Sequence, residues 1–314
     1  MKSYLYTYAA HEDEQALCQL ELRTLFRGAK IGAKSLISEH LIDPSRSPFI
    51  HERITIEYTA PTLDELVEQV DSLQIQQGKT FKVVYYKSGE FVSYDEERVI
   101  ERKLGAAIRG KVDMRKPELI LGVTKYMEGW ILGECMQSKA IWKQHQDKPQ
   151  NYSTALSTRL ARAVTNIAVP EVEGVRVIDP CCGIGTVLLE ALSMGIDIVG
   201  RDINPLTTRG ARLNLAHFGY SNVVTLGDMR DITDHYDTAI IDLPYNLCSR
   251  LSDEERLSML RSAYRFADRV VLITTEPIDE SVTHAGFEIV DRCQVHKGRF
   301  VREVLVVQAQ SQAY

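Results

Sequence analysis

Residues 179–186 read Asp-Pro-Cys-Cys-Gly-Ile-Gly-Thr, and this stretch decides the fold of the second half of the chain. An apolar run over 175–178 precedes it, and the run over 187–192 that follows is typical of a helix. A buried strand is therefore expected to lead through a glycine turn into a helix N-terminus. Glycine suits such a turn because it lets a ligand approach the backbone closely. The pattern predicts the first strand–turn–helix unit of a doubly wound α/β domain, whose ligands bind at the carboxyl ends of the strands.

Strand and helix patterns continue to alternate after this turn. The last two alternating runs, 287–296 and 300–308, are joined by Lys297-Gly298-Arg299, which indicates a hairpin. This order predicts a Rossmann-like α/β domain over residues 153–314, with a parallel sheet that has one antiparallel member. In the first half, the strand and helix patterns do not alternate in this regular way. They predict small α+β units, with a break near residue 77 and a helix over 96–111.

Acidic residues follow three successive strands of the predicted sheet. Asp179, Asp202 and Asp228 should therefore lie along one rim. A carboxylate beside a helix N-terminus disfavours phosphate and suits a cationic amine, while the other two could accept ribose hydroxyls and an adenine amine. S-adenosylmethionine (SAM) carries all of these groups. The predicted cofactor-binding residues are Asp179, Cys181, Gly183, Gly185, Asp202, Ile203, Asp228 and Met229.

Two other interpretations of this rim stay open. An Asp at a strand end often does no more than cap the helix that follows. A site for NAD is the main competing ligand site, but the turn lacks the third glycine of the G-x-G-x-x-G fingerprint. Asp179 also stands where the diphosphate of NAD would lie.

A second motif, Asp242-Leu243-Pro244-Tyr245, follows the fourth strand. It resembles the [D/N/S]-P-P-[Y/F] motif of methyltransferases that act on the exocyclic amines of adenine, cytosine or guanine, with Leu243 where proline is usual. An aryl amine becomes a better nucleophile when acceptors bind both of its N–H groups. Asp242 and the Leu243 carbonyl could supply those acceptors, since Pro244 biases its predecessor to an extended shape. Tyr245 offers a face for a flipped base. The alternative is an ordinary strand end with a proline turn.

The first half resembles a second family through several motifs. Phe81-Lys82-Val83-Val84-Tyr85-Tyr86, residues 98–113, Lys116-Pro117-Glu118-Leu119 and Trp130-Ile131-Leu132-Gly133 look like a THUMP domain of tRNA-modifying enzymes. Residues 1–77 are similar to the ferredoxin-like domain that usually precedes it. The resemblance implies a ferredoxin-like domain over 1–77, a THUMP domain over 78–142 and a linker over 143–152. It also implies that this half grips the acceptor end of tRNA.

The charge distribution is compatible with such a partner. The net charge is −6, yet seven Lys or Arg residues and only two acidic ones lie between Arg98 and Lys116. Local basic patches, more than total charge, decide phosphate binding. A solvated basic helix face is the alternative. The predicted RNA-binding residues are Arg98, Arg102, Arg109, Lys111, Arg115 and Lys116.

Composition narrows the class of protein further. No apolar run approaches the ~20 residues that span a bilayer, so no membrane association is expected. The six cysteines form no CxxC pair, which predicts reduced thiols, a cytoplasmic location and no metal site. The resemblance as a whole implies a SAM-dependent tRNA guanine-N2 methyltransferase. Ribosomal RNA as the substrate and a non-catalytic RNA-binding protein with a SAM pocket are the alternatives, and the sequence leaves a protein partner undetermined.

Overall fold

The computed structural model describes residues 2–89, 92–127, 129–152, 155–244, 251–298 and 300–310. Within them, the helices are α1 (Gln15–Leu25), α2 (Leu63–Val70), α3 (Tyr94–Ala107), α4 (Thr158–Ala168), α5 (Thr186–Ser193), α6 (Pro205–His217), α7 (Asp253–Phe266) and α8 (Asp279–His284). The strands are β1 (Tyr4–Tyr8), β2 (Ser35–Ser38), β3 (Ile50–Thr55), β4 (Tyr58–Ala60), β5 (Thr80–Tyr85), β6 (Lys111–Val112), β7 (Leu119–Tyr126), β8 (Gly129–Gln137), β9 (Arg176–Asp179), β10 (Asp197–Asp202), β11 (Val224–Leu226), β12 (Tyr236–Asp242), β13 (Ala267–Thr274), β14 (Phe287–Lys297) and β15 (Phe300–Ala309). Among the described residues, no helix combines the length and the apolar character needed to cross a bilayer.

The chain forms two compact units. The first contains the residues up to Ala9 and those from Phe26 to Lys139, and the second contains Ala10–Leu25 together with everything from Ala140 onward. Helix α1, which the sequence assigned to the amino-terminal domain, thus packs in the second unit. The predicted linker over 143–152 begins in a 3₁₀ helix, Ile141–Asp147, that also belongs to the second unit.

One sheet carries most of the first unit. Its strand order is β2-β1-β3-β8-β7-β5-β6, and β4 pairs with β8. The sheet therefore continues across the boundary that the sequence placed at residue 77. Gly133 of β8 lies where the chain leaves β3, and a Cβ at this position would come within 1.7 Å of the Thr55 carbonyl oxygen. The assignment of ferredoxin-like and THUMP domains stays a prediction.

The second unit has the predicted Rossmann-like fold. Its strand order is β11-β10-β9-β12-β13-β15-β14. Strands β9 to β13 are parallel to one another, and β15 is antiparallel to both of its neighbours, as the hairpin pattern predicted. Buried aliphatic and aromatic side chains such as Phe266, Leu272 and Phe287 fill one face of this sheet. The carboxyl ends of β9, β10 and β12 carry Asp179, Asp202 and Asp242.

Candidate functional site

The glycine turn between β9 and α5 shapes the floor of the site. Gly183 and Gly185 have φ angles of 51° and 78°, a left-handed conformation that costs other residues free energy. A Cβ added at Gly183 would meet no atom within 4 Å, so the space above this residue is open to a ligand. Gly185 instead caps α5, and a Cβ there would approach the Ala211 Cβ to 3.2 Å. The two glycines therefore serve different purposes.

Asp202 is held firmly against this turn. Its carboxylate accepts hydrogen bonds from the Gly183 N–H at 2.8 Å and the Asn204 N–H at 2.8 Å. The Thr207 hydroxyl adds a third at 2.9 Å. These donors come from both the turn after β9 and the start of α6, so they fix the direction in which the carboxylate faces. Next to it, the Ile203 side chain is 65% exposed and offers an apolar surface.

Asp228 begins a short 3₁₀ turn over Met229–Asp231 and caps it. Its carboxylate accepts from the Arg230 backbone N–H at 2.8 Å and from the Arg230 guanidinium. The hydrogen bonds and charge of Arg230 hold the pKa of Asp228 below its usual range. Asp228 is therefore ionised at neutral pH, with a cation beside it. Arg230 was not among the residues predicted from the sequence, although its place two residues after Asp228 is a usable signal.

Asp179 lies beneath the rim instead of on it. Only 4% of the residue is exposed, and its carboxylate accepts from the Cys181 N–H at 3.2 Å. Burial, reinforced by the nearby Asp242 and Asp202, raises its pKa well above the usual value. Burial and the same carboxylates raise the pKa of the Cys181 thiol, whose Sγ lies 3.8 Å from Met229 Sδ. All three strand-end aspartates thus accept a hydrogen bond from a backbone N–H two residues on. The N-caps of α5 and α6 are nevertheless Gly185 and Asn204, so Asp179 and Asp202 do not cap the helices that follow them.

Asp242 differs from those three residues in its surroundings. It ends β12, and its Oδ1 atom is buried without a hydrogen-bond partner among the residues that the structure describes. Burial raises the pKa of this carboxyl to about 7, and the positive charge of Arg302 partly opposes that effect. A buried acceptor left unpaired costs free energy, so such groups mark sites where a ligand supplies the missing donor. Capping does not explain this carboxylate.

Leu243, which replaces the usual proline of the motif, takes part in the sheet. Its N–H donates to the Ile273 carbonyl at 3.0 Å, a bond that proline could not make, and its side chain is 4% exposed. The departure from the motif therefore extends the pairing of β12 with β13 by one residue. Pro244 is exposed. Tyr245 lies outside the described residues.

A cavity of about 550 Å³ opens above these groups, a size that suits a small ligand. It contacts nine of the residues singled out from the sequence: Cys181, Gly183, Asp202, Ile203, Asp228, Met229, Asp242, Leu243 and Pro244. Asp179 and Gly185 do not line it. Another cavity, of about 480 Å³, lies beside β10 and β11 and is lined by none of the predicted residues. The first cavity is the candidate site.

Several residues that line the cavity were not predicted to contact the cofactor. Arg230 and Glu255 add charged groups, Asn204 and Thr207 come from the start of α6, and Leu251 and Met259 come from the segment around α7. Ala155 and Tyr152 complete the wall on the side of the residues that precede α4. Of these residues, Tyr152 and Arg230 have a local signal, since Tyr152 directly precedes the predicted domain and Arg230 follows Asp228 by two residues. The others reach the cavity because parallel strands bring distant loops to one edge.

The six predicted RNA-binding residues are exposed and belong to the first unit. Arg98 and Arg102 lie on α3, where Arg98 forms an ion pair with Glu101 at 2.8 Å. The prediction of a helix over 96–111 was wrong at its C-terminal end, since α3 ends at Ala107. Arg109 instead follows the helix, and its N–H donates to the Leu73 carbonyl at 3.0 Å. That pairing with a neighbouring segment stops the helix.

Comparisons with known proteins agree with the fold described above. Residues 146–276 match the family model described as UPF0020, RMKL-like, methyltransferase domain. The crystal structure of TrmN from Thermus thermophilus superposes with a TM-score of 0.52 and 20% identity, over 98% of this chain and 100% of that one. This likeness establishes a shared fold.

Two curated relatives are similar in sequence, and both are named tRNA (guanine(10)-N2)-dimethyltransferase. The one from Methanothermobacter thermautotrophicus is 31% identical over 53% of this chain and 52% of its own length. The one from Pyrococcus abyssi is 27% identical over 63% of this chain and 64% of its own length. The chain thus spans between about half and two thirds of these relatives. The second unit therefore has a Rossmann-like fold, and residues 146–276 are similar to a methyltransferase domain.

Proposed function

We propose that this chain is a SAM-dependent RNA methyltransferase that methylates the exocyclic N2 amine of a guanosine in tRNA. The observation that carries the proposal is the Oδ1 atom of Asp242, which is buried in the wall of the cavity beside the glycine turn and has no hydrogen-bond partner within the ranges that the structure describes. The match to a methyltransferase domain and the names of the curated relatives support the same activity. A cytoplasmic location belongs to this proposal.

The residues around the cavity fit SAM. The open space above Gly183 accommodates the methionyl part, and buried Asp179 would be stabilised as an anion by a cationic amine nearby. Asp202, held by the Gly183 N–H, would accept the ribose hydroxyls, and exposed Ile203 would offer an apolar surface to the adenine ring. Asp228 would accept the adenine amine, and Met229 and Cys181 line the same cavity. When bound, SAM supplies an electrophilic methyl group on a sulfonium.

Asp242 and Leu243 act on the nucleophile in this proposal. The target amine donates one N–H to the Asp242 carboxylate and the other to the Leu243 carbonyl, which localises its lone pair. Leu243 is fixed for this purpose by its bond to Ile273 and by its buried side chain. Pro244 follows at the exposed end of this motif, and the resemblance assigns Tyr245 the role of stacking on the flipped base. Alignment of amine and methyl group provides much of the rate, and the placed acceptors add to it.

The first unit binds the RNA substrate in this proposal, with the THUMP and ferredoxin-like assignments as part of it. Its exposed basic residues would contact phosphates, which hold structured RNA in register without reading its sequence. Of the six, Arg102 and Lys111 have no ion-pair partner among the described residues, whereas Arg98 is paired with Glu101.

Methyl transfer from labelled SAM to purified RNA tests the function. We expect label in tRNA and N2-methylated guanosine in its nucleoside digest by mass spectrometry. Label found only in ribosomal RNA would mean that the substrate is ribosomal RNA and not tRNA. A protein that binds S-adenosylhomocysteine (SAH) but transfers no label to any RNA would be a non-catalytic binder, and that result would contradict the proposal.

A further inference from the structure

The cavity has two walls that come from distant parts of the sequence. One is the glycine turn, represented by Gly183 and Ile184, and the other is the segment that carries Tyr152. The 148–152 segment contains no helix or strand among its residues. Something else must therefore hold it in place beside the turn.

Asn214 of α6 makes that connection. Its Oδ1 accepts a hydrogen bond from the Gln150 N–H at 2.8 Å, and its Nδ2 donates to the Gln150 carbonyl at 3.0 Å. The same Nδ2 group donates to the Ile184 carbonyl at 2.9 Å. One side-chain amide thus binds the backbone of both walls and uses both of its N–H donors.

The surroundings make this a rigid connection. Asn214 is completely buried, so water does not compete for its hydrogen bonds. Gly210, one turn earlier on α6, lets both walls approach the helix, since a Cβ there would lie 3.3 Å from Ile184 Cγ2 and 3.6 Å from Gln150 Cβ. Five residues before Gln150, buried His145 lies 2.7 Å from Glu190, which also pairs with Arg162. The 148–152 segment is therefore anchored at Gln150 and next to a second buried polar contact.

We propose that Asn214 is a positioning residue for cofactor binding, which holds the Tyr152 wall against the glycine turn before the ligand arrives. It lies behind the cavity wall and does not line the cavity. Ordering a wall in advance raises affinity, because the ligand does not have to order it. The inference rests on the proposed function, since it assigns SAM to this cavity.

Two variants distinguish the effect of losing the hydrogen bonds of Asn214 from the effect of changing its side-chain volume. Asn214→Leu keeps a similar shape and removes all three hydrogen bonds, while Asn214→Asp retains an acceptor for the Gln150 N–H and loses the amide donors. We expect about tenfold weaker SAH binding by calorimetry for N214L and a smaller loss for N214D, a tenfold change being 1.4 kcal/mol. The KM for SAM should rise in parallel, whereas kcat at saturating SAM and the KM for RNA should stay within about twofold. Amide hydrogen exchange at residues 148–152 should accelerate in both variants.

Asn166 provides the matched control. It is also a completely buried asparagine on a helix of the second unit, but its Nδ2 donates to Glu21 at 2.6 Å, away from the cavity. Asn166→Leu should lower the melting temperature and leave the SAH affinity unchanged. If N214L does not fold, N214D decides the question by the same measurements.

Unchanged SAH affinity in the folded Asn214 variants would overturn the inference, as would an equal loss of affinity in N166L. The wild-type chain gives the separate test of the proposed function. If it failed to bind SAH, the cofactor assignment itself would be wrong, and the inference would fall with it.

Discussion

The two compact units use charged residues in opposite ways. In the second unit, the strand-end carboxyl groups of Asp179 and Asp242 are buried, and burial raises the pKa values of both. In the first unit, the basic residues assigned to RNA binding are exposed to solvent. A buried charge depends on a few specific neighbours, whereas exposed charges act additively and through a screened field. Single substitutions should therefore have large effects in the cavity and small ones on the basic surface.

The largest effect is expected at Asp242. Asp242→Ala should lower kcat for methyl transfer by about 10³-fold, because the target amine loses a placed acceptor in a buried site. The SAH dissociation constant should stay within about twofold, since the cofactor is bound by other residues. Single-turnover transfer of labelled methyl groups and calorimetry measure the two quantities.

Asp197 is the control for this variant. It is an exposed aspartate at the amino end of β10, at the opposite edge of the sheet from the cavity. Asp197→Ala should retain wild-type activity. A D242A protein with more than a tenth of the wild-type rate would remove Asp242 from the proposed mechanism.

The second largest effect is expected in the first unit. Gly133→Ala should destabilise the first unit by on the order of 3 kcal/mol, because its Cβ would overlap the Thr55 carbonyl oxygen, which is backbone. We expect weaker tRNA binding and an unchanged SAH affinity. Gly105→Ala on α3 is the contrast, since its Cβ would make only an ordinary contact of 3.9 Å with Val83 and should stabilise the helix by about 1 kcal/mol. Calorimetric unfolding of both variants would contradict this prediction if G133A melted like the wild type.

The third effect follows from the pKa of Asp242, raised to about 7 by burial. Between about pH 4 and pH 7 the native carboxyl keeps a proton that the unfolded chain has released, so this group makes the wild-type protein less stable as pH rises. Asp242→Asn removes that dependence. The stability of D242N relative to the wild type should therefore increase by on the order of 2 kcal/mol from pH 5 to pH 8 in urea unfolding. A difference that stayed constant with pH would show that Asp242 ionises normally.

The smallest effects are expected on the basic surface. Arg102→Ala and Lys111→Ala should each weaken tRNA binding about threefold and reduce the slope of log K against log salt by about 1. Arg98→Ala should do less, because Glu101 already neutralises part of its charge at 2.8 Å. Filter binding across a salt series tests this order. An unchanged salt slope in R102A and K111A would exclude phosphate contacts by these residues.

Local sequence patterns predicted the elements of the second unit because each signal lies within a few residues. The glycine turn, the strand-end aspartates and the hairpin around Gly298 are all of this kind, and the sheet contains them in the predicted order. The C-terminal end of α3 was missed because the interaction that stops it, between Arg109 and Leu73, joins residues far apart in the chain. The same reason hid Glu255 and Asn214, whereas Arg230 has a local signal in its place two residues after Asp228.

By itself, the sequence determined the alternation of strands and helices, the rim of aspartates and the order of the motifs along the chain. Those properties depend on hydrophobic period and turn chemistry, which neighbouring residues decide together. Only the tertiary structure decided that α1 packs in the second unit, that Asp179 lies under the rim and that the Asp242 Oδ1 atom is buried with no hydrogen-bond partner in the described part of the chain. Burial and hydrogen bonding between distant segments set those outcomes, because each depends on atoms that meet only once the sheet has formed.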